Sequence, residues 1–254
     1  MADTNVSPTR PPLSAWMAES LRLTILRRPM PNLDKGVWKT LMGVEPDVTT
    51  NQPRVGLVRE EGSGLQGQCI VEQRPNRVDV VYTLGGDGSM FPYGTLPGTF
   101  EGALREFSEL TATWLKNLSV GVQRMAFGAV ALLPQQDRAS GYRQLAAYLR
   151  CAPDVETSDF LYQINRRRDS EALRGAKVNR LSKWSVAQVQ ETQIPVLPAG
   201  PVMVVGEPRF ACRVELDVNT APLSLGELPR SAIVNHYREL IALATEILES
   251  GDIP

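Results

Sequence analysis

The chain has 254 residues, 43% of them hydrophobic, a formal charge of −1 and a single histidine, His236. This length suits one large domain or two small ones, and this apolar content supports a buried core rather than a disordered tail. The near-neutral charge excludes a global attraction to nucleic acid or anionic membranes, and one histidine excludes a His-rich metal site.

Cys69, Cys151 and Cys212 are odd in number, far apart and never spaced as CxxC, so neither a disulfide framework nor a zinc knuckle is indicated. No stretch approaches the roughly 20 apolar residues needed to cross a bilayer. We therefore expect a cytoplasmic protein of a reducing compartment, with no membrane association and no cofactor.

Residues 1–14 are polar and Pro-rich, and a mobile arm is expected there. Residues 20–26, SLRLTIL, put Leu21, Leu23 and Ile25 on one face, as a strand does, and Arg27-Arg28-Pro29 ends the run. Asn32 is placed to cap a helix over 33–42 that carries Leu33, Val37, Trp38 and Leu41 on one side. Three strands are expected next, over 54–59, 65–73 and 77–84, joined by turns short enough for an antiparallel meander. The Gly/Pro-rich segment 85–98 breaks the pattern. Thr99 then caps a helix to about residue 116, with Phe100, Leu104, Phe107, Thr111 and Trp114 along its apolar stripe.

From Val122 the order of elements repeats. A strand over 122–133 is ended by Pro134, a helix follows over 137–150, and strands are expected over 159–165, 178–192 and 208–218. The segment PVLPAGP, 195–201, punctuates the last two, and Leu228-Pro229 opens a long helix to about residue 249. Two local echoes support the repeat. The closing strands read VDVVYT and VELDVNT, and Leu96-Pro97 matches Leu228-Pro229 before each long helix. The expected fold is α+β: duplicated βαβββα units, antiparallel sheet or sheets, and long helices covering one face. The expected divisions are the arm, a first unit over 15–118 and a second over 119–254, either separate or merged into one continuous domain.

The segment 165–183 gathers Arg166, Arg167, Arg168, Arg174, Lys177, Arg180 and Lys183 in one turn-and-flank region. Clustered guanidinium groups suit a phosphate backbone or an anionic ligand, because each contact releases a counterion and Arg can bind bidentately. Against this stands a solvated hairpin tip partly neutralised by Asp169 and Glu171, with none of the interleaved aromatics that single strands stack on. Trp184 alternates with basic and polar residues; we favour core burial and keep an exposed partner anchor as the other option.

His236 sits among helix core residues with no nucleophile indicated beside it, so packing is favoured over catalysis. The run Gly85-Gly86-Asp87-Gly88-Ser89 lacks the spacing of a phosphate loop and is expected to be a turn. Asp79, Asp87, Asp159, Glu215 and Asp217 show no metal-binding spacing.

The pieces FLYQINRRR, VNRLSKWSV, VELDVNT, IVNHYRELIALATEI and FPYGTLPGTFEGALREFSELTATWL resemble a sporadically distributed group of bacterial proteins of similar length with no assigned activity. That resemblance spans residues 91–249. It implies an accessory protein of a mobile-element or phage-defence system and no particular functional residue. The element order is also similar, at the level of fold, to SecB-like chaperones, although here a helix follows the first strand. We expect a non-catalytic interaction protein, whether adaptor, subunit or chaperone-like binder, with a protein partner. The alternative is a nucleic-acid or anion-binding accessory protein that uses the basic cluster.

Overall fold

The structure, a computed structural model, describes residues 9–30, 33, 36–65, 67–83, 99–151, 153–154, 156–189, 192–193, 196–197, 200–201, 204–205, 209–222 and 226–252. The first half comprises β1 (Met17–Arg27), α1 (Val37–Met42), β2 (Val48–Gln52), β3 (Leu57–Gly64), β4 (Gly67–Arg74), β5 (Arg77–Thr83) and α2 (Phe100–Lys116). The second half opens with β6 (Val122–Gln135), α3 (Arg138–Leu145), β7 (Leu161–Asp169) and β8 (Lys177–Val189). Four two-residue strands follow: β9 (Thr192–Gln193), β10 (Val196–Leu197), β11 (Gly200–Pro201) and β12 (Val204–Val205). The chain closes with β13 (Arg209–Thr220) and α4 (Ile233–Ser250).

The fold is α+β, built on one nine-stranded sheet in the order β2-β3-β4-β5-β1-β6-β13-β8-β7, with every neighbouring pair antiparallel. Alternation explains why β1 lies at its middle. Leu21, Leu23 and Ile25 are buried, and register sets Tyr82, Val80 and Val78 of β5 on one side of them and Ala129, Phe127 and Met125 of β6 on the other. Each large side chain in such a layer contributes roughly 1.5–3 kcal/mol on leaving water. The β1–β6 pairing runs from Met17↔Leu132 to Arg27↔Val122, so the two halves of the chain share a single sheet.

Helix side chains enter the same buried layer. Tyr237 of α4 meets Phe127 edge-on at 6.5 Å, and its hydroxyl lies 2.7 Å from Thr111 Oγ1 of α2. Thr99 caps α2 by accepting from Gly102 N at 3.1 Å, as the sequence indicates. Trp16, Tyr148 and Trp184 form an aromatic knot, with Tyr148 stacked on Trp184 at 5.4 Å and Trp16 edge-on to both. The alternate positions are more polar, with Ala126 an exception in the row that follows. Thr50, Arg59, Glu72, Asp79, Thr24, Ala126, Asn219, Asn179 and Arg167 follow one another in register across all nine strands.

Several elements differ from expectation. Strand β2 was not foreseen. The strand expected over 54–59 begins only at Leu57, because Pro53–Val55 makes a 3-10 turn and Gly56 takes φ 61° to close a β2–β3 hairpin. β6 runs through Pro134, which is tolerated because β1 pairs no further than Leu132 there and only the β13 ladder remains. α1 starts at Val37, behind Gly36 at φ 81°, and Asn32 lies outside the described residues. α3 is shorter than expected, and β7 is longer, running to Asp169. Residues 1–8 and the 85–89 run, Asp87 included, also lie outside the described residues. From Thr9 the expected arm is tied down: Gln144 Nε2 donates to Thr9 O at 3.0 Å, and Arg10 Nε donates to Ala147 O at 2.7 Å.

Candidate binding sites

Because β7 extends to Asp169, the three consecutive arginines occupy a strand rather than a turn, and alternation divides them between two faces. Arg166 stands opposite Arg180 and Arg168 opposite Val178, on the side that meets α4. Arg167 stands opposite Asn179 on the polar side and donates to its Oδ1 at 2.8 Å. Lys183 is on that polar side too, 3.0 Å from Glu215, and Lys177 pairs with Asp169 at 2.8 Å. Arg174 is exposed in the hairpin turn. The seven basic residues therefore do not form one surface. A phosphate backbone needs them side by side on solvated ground, and this arrangement spreads them over two faces and a tip.

Trp184, weighed as an exposed anchor, is fully buried in the aromatic knot. Its neighbours on the strand are polar because they face the other way, and its indole N–H donates to Ser182 Oγ at 3.0 Å.

What the structure does bring together is Arg166, Arg168, Arg180 and Ser182 with the last turn of α4. They line a cleft of about 500 Å³ along with Glu246 and Asp252. Asp252 accepts from Arg166 through both oxygens, Nη2 to Oδ2 measuring 3.1 Å, and also from the Tyr162 hydroxyl. Burial alone would raise the Asp252 carboxyl, but these hydrogen bonds and the Arg166 charge hold it below its ordinary range. The same bond pushes the Tyr162 phenol up to about 12. Arg168 grips Glu246 bidentately at 2.8 and 2.6 Å, and Arg180 Nη2 reaches the same carboxylate at 3.2 Å. Arg180 is only 7% exposed, and its Nε has no hydrogen-bond partner. Burial lowers its pKa, Glu246 opposes that fall and Arg168 adds to it.

Of the other flagged groups, Asp159 is exposed just before β7, and most of the rest are spoken for. His236 is buried, with Nε2 2.8 Å from Thr220 Oγ1 and Nδ1 2.9 Å from Glu239 Oε2. Glu239 also accepts from Ser170 Oγ and Glu171 N, each at 2.6 Å. Although this chain has the order of a hydroxyl, an imidazole and a carboxylate, Thr220 is fully buried and bonded to the Met125 backbone, so it ties the β7–β8 turn to α4. Asp79 accepts from Thr24 and Arg77, both at 2.5 Å; Glu215 is shared by Lys183 and Arg213; Asp217 lies 3.6 Å from Arg22. Cys69 and Cys212 are buried thiols pushed up to about 12 by desolvation, and Cys151 is exposed. Among the described residues, no three or more His, Cys, Asp or Glu side chains gather as a metal would need. No described helix is long and apolar enough to cross a membrane.

A second surface lies at the opposite end of the sheet. β2, Val-Thr-Thr-Asn-Gln, is the edge strand there, and it alone of the nine carries no charged residue. Apart from Thr50 its side chains are exposed. The exposed large hydrophobic residues of the described chain are Val44, Val48, Val55 and Leu161, and the first three belong to β2 or its flanks. Natural sheets ordinarily guard an edge with charge, proline or a bulge. β2 has none of these within its five residues, although Pro46 and Pro53 bracket it.

No family model matches the chain, and no curated protein matches it in sequence.

Proposed function

We propose that the chain is a non-catalytic interaction protein that receives an extended segment of a protein partner along β2, as a tenth strand. One observation carries this: the single uncharged strand of the sheet is an edge strand, set among three of the four exposed large hydrophobic residues of the described chain. The outer N–H and C=O groups of such a strand are a template for pairing, and alternate side chains of the incoming segment supply selectivity. A complementary segment is uncharged and β-branched over about five residues, since Val48, Thr49 and Thr50 offer methyl and hydroxyl groups to cross-strand neighbours.

The architecture supports the proposal as a scaffold. We read the sheet as a βαβββα unit written twice, with the helices over its apolar face. Leaving out β2, the order is β3-β4-β5-β1 followed by its mirror, β6-β13-β8-β7. On this view β2 is an addition with no counterpart in the second half, just as the four short strands between β8 and β13 are an addition to the second. The bacterial mobile-element or phage-defence setting follows from the sequence resemblance alone and adds nothing to this surface.

The test is affinity capture with the tagged full chain, followed by hydrogen exchange on the complex. A partner captured stoichiometrically by the wild-type chain, lost in the Val48→Lys/Val55→Lys double variant, and protecting the amides of β2 on binding supports the proposal. A partner that binds both proteins equally and leaves β2 unprotected sinks it.

A further inference from the structure

The cleft between the β7–β8 hairpin and the end of α4 has more donors than its own acceptors use. We propose that it binds the phosphoryl group of a small phosphorylated molecule, with Arg180 and Ser182 as its floor and Arg166 and Arg168 at its rim.

The simpler account makes the arginines counter-ions for α4, whose last turn presents free carbonyls and carries Glu246. This explains Arg168, which matches Glu246 bidentately, and Arg166, which matches Asp252. It does not explain Arg180. That side chain lines the cleft yet is buried, shares Glu246 with Arg168 through one nitrogen at 3.2 Å, and has a buried Nε–H without a hydrogen-bond partner. A buried donor on a charged group is among the least favourable atoms to leave unbonded.

Ser182 adds to the surplus. Its oxygen accepts from Trp184, so its own O–H remains to donate, and the residue is 2% exposed on the cleft wall. With Arg167 set aside because it bonds Asn179 on the other face, guanidiniums still outnumber carboxylates in the cleft three to two. Unused N–H and O–H donors with excess positive charge select an oxyanion. A phosphate monoester offers three acceptor oxygens to these donors where a carboxylate offers two, and the cleft, about 500 Å³, has room for it.

The experiment is calorimetric titration of the full chain in a phosphate-free, low-salt buffer with inorganic phosphate, glycerol phosphate and acetate, repeated on Arg180→Gln and Arg168→Gln. Saturable binding of phosphate or glycerol phosphate, and not of acetate, is expected. It should weaken roughly tenfold or more in Arg180→Gln and by a smaller factor in Arg168→Gln. Tighter binding of glycerol phosphate than of inorganic phosphate identifies an organic ester as the natural occupant, and the reverse identifies the free ion. Arg168 is half exposed, so its variant keeps the test alive if Arg180→Gln does not fold. No saturable heat, equal binding of acetate, or wild-type affinity in the folded variants overturns the proposal. Loss of phosphate binding with partner capture intact separates this site from β2.

Discussion

The two ends of the sheet solve the same problem differently. Among the described residues β7 and β2 each pair with a neighbour on one side only, so each has an outer row of backbone groups outside the ladder. β7 carries three arginines and an aspartate in nine residues, and two of those arginines are tied to carboxylates at the end of α4. Charge there both discourages a further strand and fastens the edge to the structure behind it. β2 has neither device. Its flank is anchored where Asp47 Oδ2 accepts from Ser63 N at 3.0 Å. The proposal that β2 receives a partner strand rests on this contrast, and the following experiments can break or sharpen it.

The largest effect should come from the seam that both edges hang from. Phe127, fully buried and edge-on to Tyr237, joins the halves where β6 meets β1. Phe127→Ala should lower stability by about 3–5 kcal/mol in a denaturant melt. Tyr237→Phe, which removes only the buried hydroxyl pair with Thr111, should cost about 1 kcal/mol. A loss in Phe127→Ala that stays below the Tyr237→Phe loss would show that the halves fold independently and that their edges are not comparable.

Acid should act on the guarded end first. His236 has a folded pKa below its ordinary 6.5, because burial outweighs the pull of Glu239. The folded state then holds fewer protons than the unfolded one, so stability is intact above pH 6.5 and declines as pH falls below it. Asp252 and Glu239 are likewise depressed, by Arg166 and by Ser170 and His236 respectively. Their contribution is present above the ordinary carboxylate range and is lost as pH falls through their folded values. These groups lie beside β7 and its turn, so hydrogen exchange between pH 7 and 4 should loosen β7 before β2. The opposite order would remove the electrostatic explanation of the contrast.

The sheet's interior was legible in the sequence because burial writes a pattern. Leu21, Leu23 and Ile25 announce β1, and the α2 stripe announces its helix, since one face of each is apolar. β2 was not legible because it has almost no buried face: with every side chain but Thr50 exposed, there is no alternation to find. Its β-branched run between two prolines was the only signal. The arginines were visible, but their partners Asp252 and Glu246 lie 86 and 78 residues away, a proximity that only the fold creates. Their division between faces could have been read once the run was assigned to a strand rather than a turn.

The smallest expected effect on stability is the most telling for function. Val48 and Val55 are 49% and 61% exposed, so Val48→Lys/Val55→Lys should shift unfolding by no more than about 0.5 kcal/mol per site. The same change places two charges along the proposed docking line and should weaken partner capture by at least roughly tenfold, because an ammonium must be desolvated before a strand can pair beside it. Leu161→Lys is the matched control: an equally exposed apolar residue, 59%, at the start of the guarded strand. It should leave capture unchanged. If Leu161→Lys abolishes binding while the β2 variant retains it, the docking edge is β7 and not β2.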